Sequence, residues 1–144
     1  MLFVSCIKSK AKSIEGTYVV GVRIENSSGM SVGGNANSDN CDCYVEIQKV
    51  KSNKASVIAY IEDSLIFNQE LELKKARDNS LSNNSMSLDP FGDKVVYYGD
   101  SSDDVWLYCW PNIKYGQYKG ELTFHFHNQQ GMKVIMHGRR LKNN

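Results

Sequence analysis

The segment that most constrains the fold is 118–141, where apolar and polar residues alternate over two stretches separated by a turn. Alternation with a period of two is typical of a β-strand with one face in the core. Residues 128–131, Asn-Gln-Gln-Gly, supply the turn, because Gly131 can adopt a positive φ. The segment is therefore predicted to be a β-hairpin. A four-residue turn would place four apolar residues on one core face: Leu122, Phe124, Phe126 and Ile135.

Further segments of the chain repeat this alternation between polar turns. The predicted strands are 17–25, 41–51, 55–62, 65–73, 94–98 and 105–110. Residues 74–84 are the best place for a short helix or an exposed loop, and 26–40 form a connection or a partner-binding loop. Short strands at this spacing predict an all-β protein, a single antiparallel β-barrel or β-sandwich of about eight to nine strands with at most one short helix.

The size and charge of the chain exclude several classes of function. A chain of 144 residues is expected to form one domain, here 14–144, with a core that needs neither metal nor disulfide. A formal net charge of +1 provides no field that would hold nucleic acid. Nucleophile elbows, phosphate-binding glycine loops and Cys/His nucleophile arrangements are missing from the sequence, so we expect a protein that is not an enzyme and has no cofactor.

The beginning of the chain carries the first resemblance. Residues 2–5, Leu-Phe-Val-Ser, are apolar and then small, and Cys6 follows them. This segment resembles the end of a bacterial lipoprotein signal peptide, although Phe3 stands where Leu is usual and the basic region is missing. The resemblance implies that 1–13 are a signal-peptide remnant and tether, and that Cys6 is acylated at a bacterial envelope membrane, periplasmic or outer. Alternatively, 2–7 form the first strand of a cytoplasmic protein.

A second resemblance concerns the first strand of the domain. Gly16 and Tyr18 form a Gly-x-aromatic pair at its start. This pair resembles the opening of lipocalin-like, or calycin-like, barrels, where the aromatic residue is Trp. The resemblance implies a barrel that closes at its C-terminus, with a basic residue of the last strand, Arg139 or Arg140, packed across the aromatic ring.

Four cysteines leave the redox chemistry open. Cys41 and Cys43 point to one face of a strand, and Cys-x-Cys without a second pair is a weak metal signal. In an oxidising envelope, a disulfide between Cys43 and Cys109 is the candidate bridge, with Cys41 as the alternative to Cys43. A strained bond between Cys41 and Cys43 is a further alternative. In the cytoplasm all four would be ordinary small residues.

Histidines and acidic residues do not predict a metal site. His125 and His127 share one face of a strand, and the four-residue turn puts His137 on the opposite face, so we predict solvent-facing histidines. The acidic turn 100–104 lacks the pattern of a calcium loop. We therefore assign no metal ligands.

Three aromatic residues, Trp106, Tyr108 and Trp110, share one face of a predicted strand, and Leu107 and Cys109 share the other. If Leu107 and Cys109 face the core, the three aromatics form a ligand pocket or a partner surface. Otherwise they form an aromatic core row.

The prediction is a non-enzymatic, lipid-anchored envelope protein of lipocalin-like type. It would bind a small apolar or aromatic ligand through Trp106, Tyr108 and Trp110. The alternative is a protein-binding inhibitor or immunity protein against a secreted toxin or hydrolase, acting through the acidic loops 39–42 and 100–104. A structural component of an envelope complex is the third class.

Overall fold

The computed structural model describes residues 10–25, 42–75, 96–99 and 105–141. These residues form one short helix and nine strands. In chain order they are α1 (Lys10–Ile14), β1 (Gly16–Glu25), β2 (Cys43–Lys51), β3 (Lys54–Ile61), β4 (Ser64–Glu72), β5 (Lys74–Lys75), β6 (Val96–Gly99), β7 (Trp106–Tyr115), β8 (Tyr118–His127) and β9 (Lys133–Leu141). The predicted loop 26–40 and the acidic turn 100–104 lie outside the described residues.

The strands form one antiparallel sheet in the order β4-β3-β2-β1-β9-β8-β7-β6-β5. The two ends of this order belong to one stretch of chain, because Leu73 alone separates β4 from β5. Following paired residues around the sheet leads from Leu65 in β4 to the neighbourhood of Lys75 in β5, a stagger of roughly ten residues, as strand tilt in a barrel requires. The predicted all-β architecture is confirmed, and the barrel alternative applies rather than the sandwich.

Alternation along each strand divides the barrel into an inner and an outer face. On β8, Leu122, Phe124 and Phe126 point inward and are buried. Phe67 of β4 packs against Phe124 and Phe126, with ring centroids 4.8 and 5.0 Å away. This aromatic cluster fills the middle of the barrel, because edge-to-face and tilted rings pack densely.

Helix α1 closes one end of the barrel. Ala11 and Ile14 are fully buried, and the Ala11 amide donates to the Ser52 carbonyl in the turn between β2 and β3. The prediction that 1–13 are a tether therefore does not describe Lys10–Ser13, which belong to a packed helix. A short helix or an exposed loop was expected in 74–84, but Lys74–Lys75 form a strand, because they continue β4 and pair with β6. The rest of that range lies outside the described residues.

The β8–β9 hairpin differs from the prediction by one residue. His127 pairs with Lys133, so five residues rather than four form the connection. The Asn128 side chain fixes this register by accepting hydrogen bonds from the amides of Gln130 and Met132, both at 2.9 Å. A shift of one residue exchanges the two faces of a strand. The predictions for β9 were therefore wrong: Ile135 faces outward, and His137 shares the outer face with His125 and His127.

Candidate functional site: a cavity at the open end of the barrel

A cavity of about 700 Å³ occupies the end of the barrel opposite α1, and it is partly open to solvent. It lies where β1, β3 and β8 end and where β4, β7 and β9 begin. Its apolar lining consists of Ile24, Ile61, Leu65, Ile66, Phe67, Val105, Phe126 and Val134. A cavity of this size is typical of sites that bind small molecules.

The floor of the cavity is rigid. Phe67 and Phe126 line the cavity from below and belong to the aromatic cluster with Phe124. Four apolar side chains between this floor and the rim are only partly buried: Ile24, Ile61, Ile66 and Val105. The cavity therefore offers apolar surface to an occupant above a floor that does not need to rearrange.

One wall of the cavity is the outer part of β4. Consecutive residues of this strand, Ser64 to Gln69, line the cavity. In a regular strand every second side chain would instead point to the opposite face of the sheet. Two features explain this. A register shift between Ala59 and Tyr60 marks a bulge that bends β4. In addition, within the described parts of the chain, Ser64–Glu72 pairs with β3 only. The cavity therefore opens sideways along this edge.

The polar rim combines turn residues and strand ends. The polar side chains that line the cavity belong to Glu62, Ser64, Asn68, Gln69, His127, Asn128, Gln129 and Gln130. Glu62 lies in the two-residue turn between β3 and β4 and has a φ of 54°, the left-handed region that residues other than glycine seldom adopt. The turn thus holds a carboxylate at the mouth.

The opposite end of the barrel is closed by a network around Arg140. Its guanidinium donates to the carbonyls of Ser13, Glu15, Pro111 and Lys119 at 2.7–3.1 Å. It also lies over the Tyr18 ring, 5.7 Å from the centroid, a cation–π arrangement. Of the two arginines proposed to pack across Tyr18, Arg140 makes this contact, whereas Arg139 points outward toward Glu121.

Two titratable groups are buried beneath this network. The Tyr18 hydroxyl donates to the Ile14 carbonyl at 2.8 Å, and burial raises the pKa of Tyr18 well above its usual value. Burial likewise raises the pKa of the neighbouring Cys109 thiol to about 12. Both groups stay protonated at neutral pH, so this end of the barrel is structural and Cys109 is not activated as a nucleophile.

The three aromatics predicted as ligand contacts lie elsewhere. Leu107 and Cys109 face the interior, so Trp106, Tyr108 and Trp110 share the other face of β7, where Trp106 and Tyr108 are half-buried and Trp110 is buried. Their rings form a ladder with centroid distances of 6.1 and 6.4 Å. None of the three is among the residues that line the cavity, and their role in binding stays a prediction.

The predicted Cys43–Cys109 bridge is wrong. Cys109 is a free, buried thiol, whereas Cys43 is disulfide-bonded. Cys43 lies in β2 near the open end, and Cys109 lies beside Tyr18 and Arg140 at the closed end. Spacing in the sequence did not reveal this separation along the barrel axis. Cys6 and Cys41 lie outside the described residues.

The outer face of β8 and β9 carries the histidines. Thr123 and His137 Nδ1 are hydrogen-bonded at 2.8 Å, and Glu121 lies 3.8 Å from both His137 Nε2 and Arg139 Nε. Burial lowers the pKa of His125. Although the three histidines share a face, the described residues contain no group of three potential metal ligands. Across the same residues, no helix has the length and apolarity to traverse a bilayer.

Sequence reasoning missed the residues that form the cavity. Ile24, Ile61 and Val105 lie at or next to strand ends, and Ile66 lies two residues inside β4. Apolar side chains near the ends of several strands were the available signal. Only the strand order shows that these ends meet, because the residues come from three separate parts of the chain: the end of β1, the β3–β4 hairpin and the start of β7.

Comparison with protein-family models finds no match for this chain, and neither does comparison with curated proteins. Among solved structures, the chain is similar to a de novo designed fluorescence-activating β-barrel. The sequence identity is 12%, the TM-score is 0.34, and the alignment covers 93% of this chain and 99% of the designed chain. A TM-score at this level carries no conclusion about function.

Proposed function

We propose that this protein is a non-enzymatic ligand-binding β-barrel that holds a small, largely apolar molecule in the cavity at its open end. The observation that carries the proposal is the cavity of about 700 Å³ with an apolar floor and a polar rim. Clefts of this size and lining bury most of a small ligand and fix its orientation with a few polar groups.

The closed end supports this proposal. α1 and the Arg140 network block one end of the barrel, so the open end is the entrance for a ligand. The floor of Phe67, Phe124 and Phe126 is already packed without an occupant. A preformed apolar site loses less conformational entropy on binding than a site that must first order its side chains.

Binding of a neutral solvatochromic dye, Nile red, tests the proposal. Ile24→Trp would place a large ring in the cavity from the end of β1, and we expect it to weaken dye binding by about tenfold or more. Val19→Trp is the matched control, because Val19 lies on the same strand and 37% of its surface is exposed on the outer face. Circular dichroism would establish that both variants fold. Equal binding by both variants, or no binding by the parent, would refute the proposal.

We also propose lipocalin-like membership and attachment to a bacterial envelope membrane through Cys6. The Gly16-x-Tyr18 pair and the packing of Arg140 on Tyr18 support the first. The second is supported by the lipoprotein-like segment 2–6. Labelling with a radioactive fatty acid in a bacterial host should mark the natural protein and spare Cys6→Ser.

Protein binding is the second candidate function, and the stacked rings of Trp106 and Tyr108 favour it, because both are partly exposed on the face of β7 that points away from the core, whereas Trp110 at the end of the ladder is buried. Aromatic residues are enriched at the centres of protein interfaces. The acidic turn 100–104, which lies outside the described residues, immediately precedes this strand in the chain. A toxin or hydrolase whose binding is lost on Tyr108→Ala and retained on Ile24→Trp would establish this candidate, and the opposite pattern would favour the cavity.

A further inference from the structure

The charges around the cavity restrict the polar end of a ligand, provided that the proposed ligand-binding function holds. Among the described residues that line the cavity there is no lysine and no arginine. Besides the His127 imidazole, the neutral polar lining consists of carboxamides and a hydroxyl, from Ser64, Asn68, Gln69, Asn128, Gln129 and Gln130. Glu62 is the one carboxylate in this described lining.

Cations near the mouth are directed to the outer face of the barrel. Lys133 precedes the buried Val134 on β9 and therefore lies on the opposite face of that strand. Arg23 alternates with Val22 in the same way, and its guanidinium lies 3.1 Å from the Glu25 carboxylate. These side chains therefore do not offset the charge of an anion inside the cavity.

Transfer of a carboxylate into this cavity would remove part of its hydration, and no lysine or arginine among the described lining residues would compensate for that loss. An unpaired buried charge is among the costliest groups in a protein interior. The Glu62 carboxylate at the rim adds repulsion for an anion and attraction for a cation. A hydroxyl or amide group, by contrast, can exchange hydrogen bonds with the carboxamides of the rim.

We propose that the cavity selects amphiphiles with an apolar body and a neutral or cationic polar end, and that it discriminates against carboxylates such as fatty acids. The aromatic floor of Phe67 and Phe126 suits a ligand whose apolar body ends in a ring. Glu62 is a specificity-determining residue of the site, and the strained φ of its turn keeps the carboxylate at the mouth.

A ligand series with one body and three polar ends tests this proposal. 8-Phenyloctylamine, 8-phenyloctanol and 8-phenyloctanoic acid compete with bound Nile red at pH 7.5 and at low ionic strength. We expect the amine and the alcohol to displace the dye at concentrations about tenfold or more below that of the acid. An acid that competes as well as the amine would overturn the proposal, as would dye binding that none of the three displaces.

Variants of the turn identify the source of the selectivity. Glu62→Gln should weaken amine binding toward the level of the alcohol and leave the alcohol unchanged. Glu62→Gly should act in the same way, and it should fold because glycine accepts the positive φ. Glu62→Lys should raise acid binding more than Asp63→Lys, the control with the same charge change at the next, exposed residue, which does not line the cavity. Equal effects of the two lysines would overturn the role of Glu62. A parent protein that binds no dye would instead refute the proposed function.

Discussion

Arg140 shows how one residue connects distant parts of this chain. Its guanidinium donates to the carbonyl of Ser13 in α1 and to that of Glu15 just after the helix. It also donates to a carbonyl in the irregular part of β7 and to one in β8. Two glycines provide the space for its side chain. A Cβ atom at Gly16 would lie 2.8 Å from Arg140 Cδ, and one at Gly120 would lie 2.9 Å from Nε. Both glycines also have a positive φ, so these two positions require glycine for its backbone conformation as well as for its small size.

Replacement of Arg140 by methionine should destabilise the protein by roughly 3 kcal/mol, because it leaves several half-buried carbonyls without a donor. Arg139→Met is the control. Arg139 is 45% exposed and its closest described carboxylate contact is 3.8 Å long, so the expected change is within about 0.5 kcal/mol. Urea denaturation measures both values. A similar loss for the two neighbours would contradict the network described for Arg140.

Alkaline pH should destabilise the fold through Cys109. Burial raises the pKa of this thiol from 9.0 to about 12, so between these values the unfolded chain releases a proton that the folded chain keeps. Stability is therefore complete below pH 9 and falls above it, by at most about 1.4 kcal/mol per pH unit. Tyr18 adds to the loss above pH 10. Urea denaturation at several pH values between 9 and 10 gives the free energy of unfolding as a function of pH. This free energy should fall less steeply with pH in Cys109→Ala than in the parent. An equal dependence on pH in the two proteins would show that the Cys109 thiol is not responsible for the loss.

At the scale of single elements, each strand presents one face to the core and one to solvent. β8 shows this division clearly, because the buried Phe124 follows the half-buried Thr123, which hydrogen-bonds His137 on the outer face. The turn after β8 decides which residues of β9 join each face. The Asn128 side chain fixes that choice through two backbone amides, so a local side chain sets the register of two long strands.

Neighbouring substitutions on β8 should therefore have very different costs. Phe124→Ala removes a fully buried ring that packs on Phe67 and Phe126, and we expect a loss of about 3–5 kcal/mol. Thr123→Ala removes one solvent-accessible hydrogen bond, and we expect a loss of less than about 1 kcal/mol. The urea midpoints of the two variants provide the measurement. A larger loss of stability for Thr123→Ala than for Phe124→Ala would contradict the assignment of the Phe124 face of β8 to the core.

At the scale of the whole molecule, the barrel has two unlike ends. The closed end brings together α1, Tyr18 and Arg140, and the open end brings together strand termini and turns around the cavity. In the wall that connects the two ends, β8 and β9 each pair with a strand on both sides, whereas β4 pairs with β3 alone over the described residues. Strands with two neighbours are expected to be the most stable part of the molecule.

Hydrogen exchange should follow this pattern. Amides in the middle of β8 and β9 should exchange most slowly, because each is bonded within a sheet that continues on both sides. In β4, alternate amides face away from β3 and should exchange much faster than their neighbours. Amide exchange followed by NMR resolves alternate residues. Uniform protection along β4, equal to that of β8, would contradict the described edge beside the cavity.

Alternation of apolar residues was sufficient to predict an all-β fold and most strand positions, because period-two burial is a local property of the chain. The resemblance of Gly16-x-Tyr18 to a known arrangement, and not the alternation, implied that Arg139 or Arg140 packs across the Tyr18 ring, and Arg140 makes this contact. The register of β9, the separation of Cys43 from Cys109 and the outward direction of Trp106 depend on how strands far apart in the chain are staggered. The cavity depends on the same stagger, since its walls come from strand ends that only the curled sheet brings together.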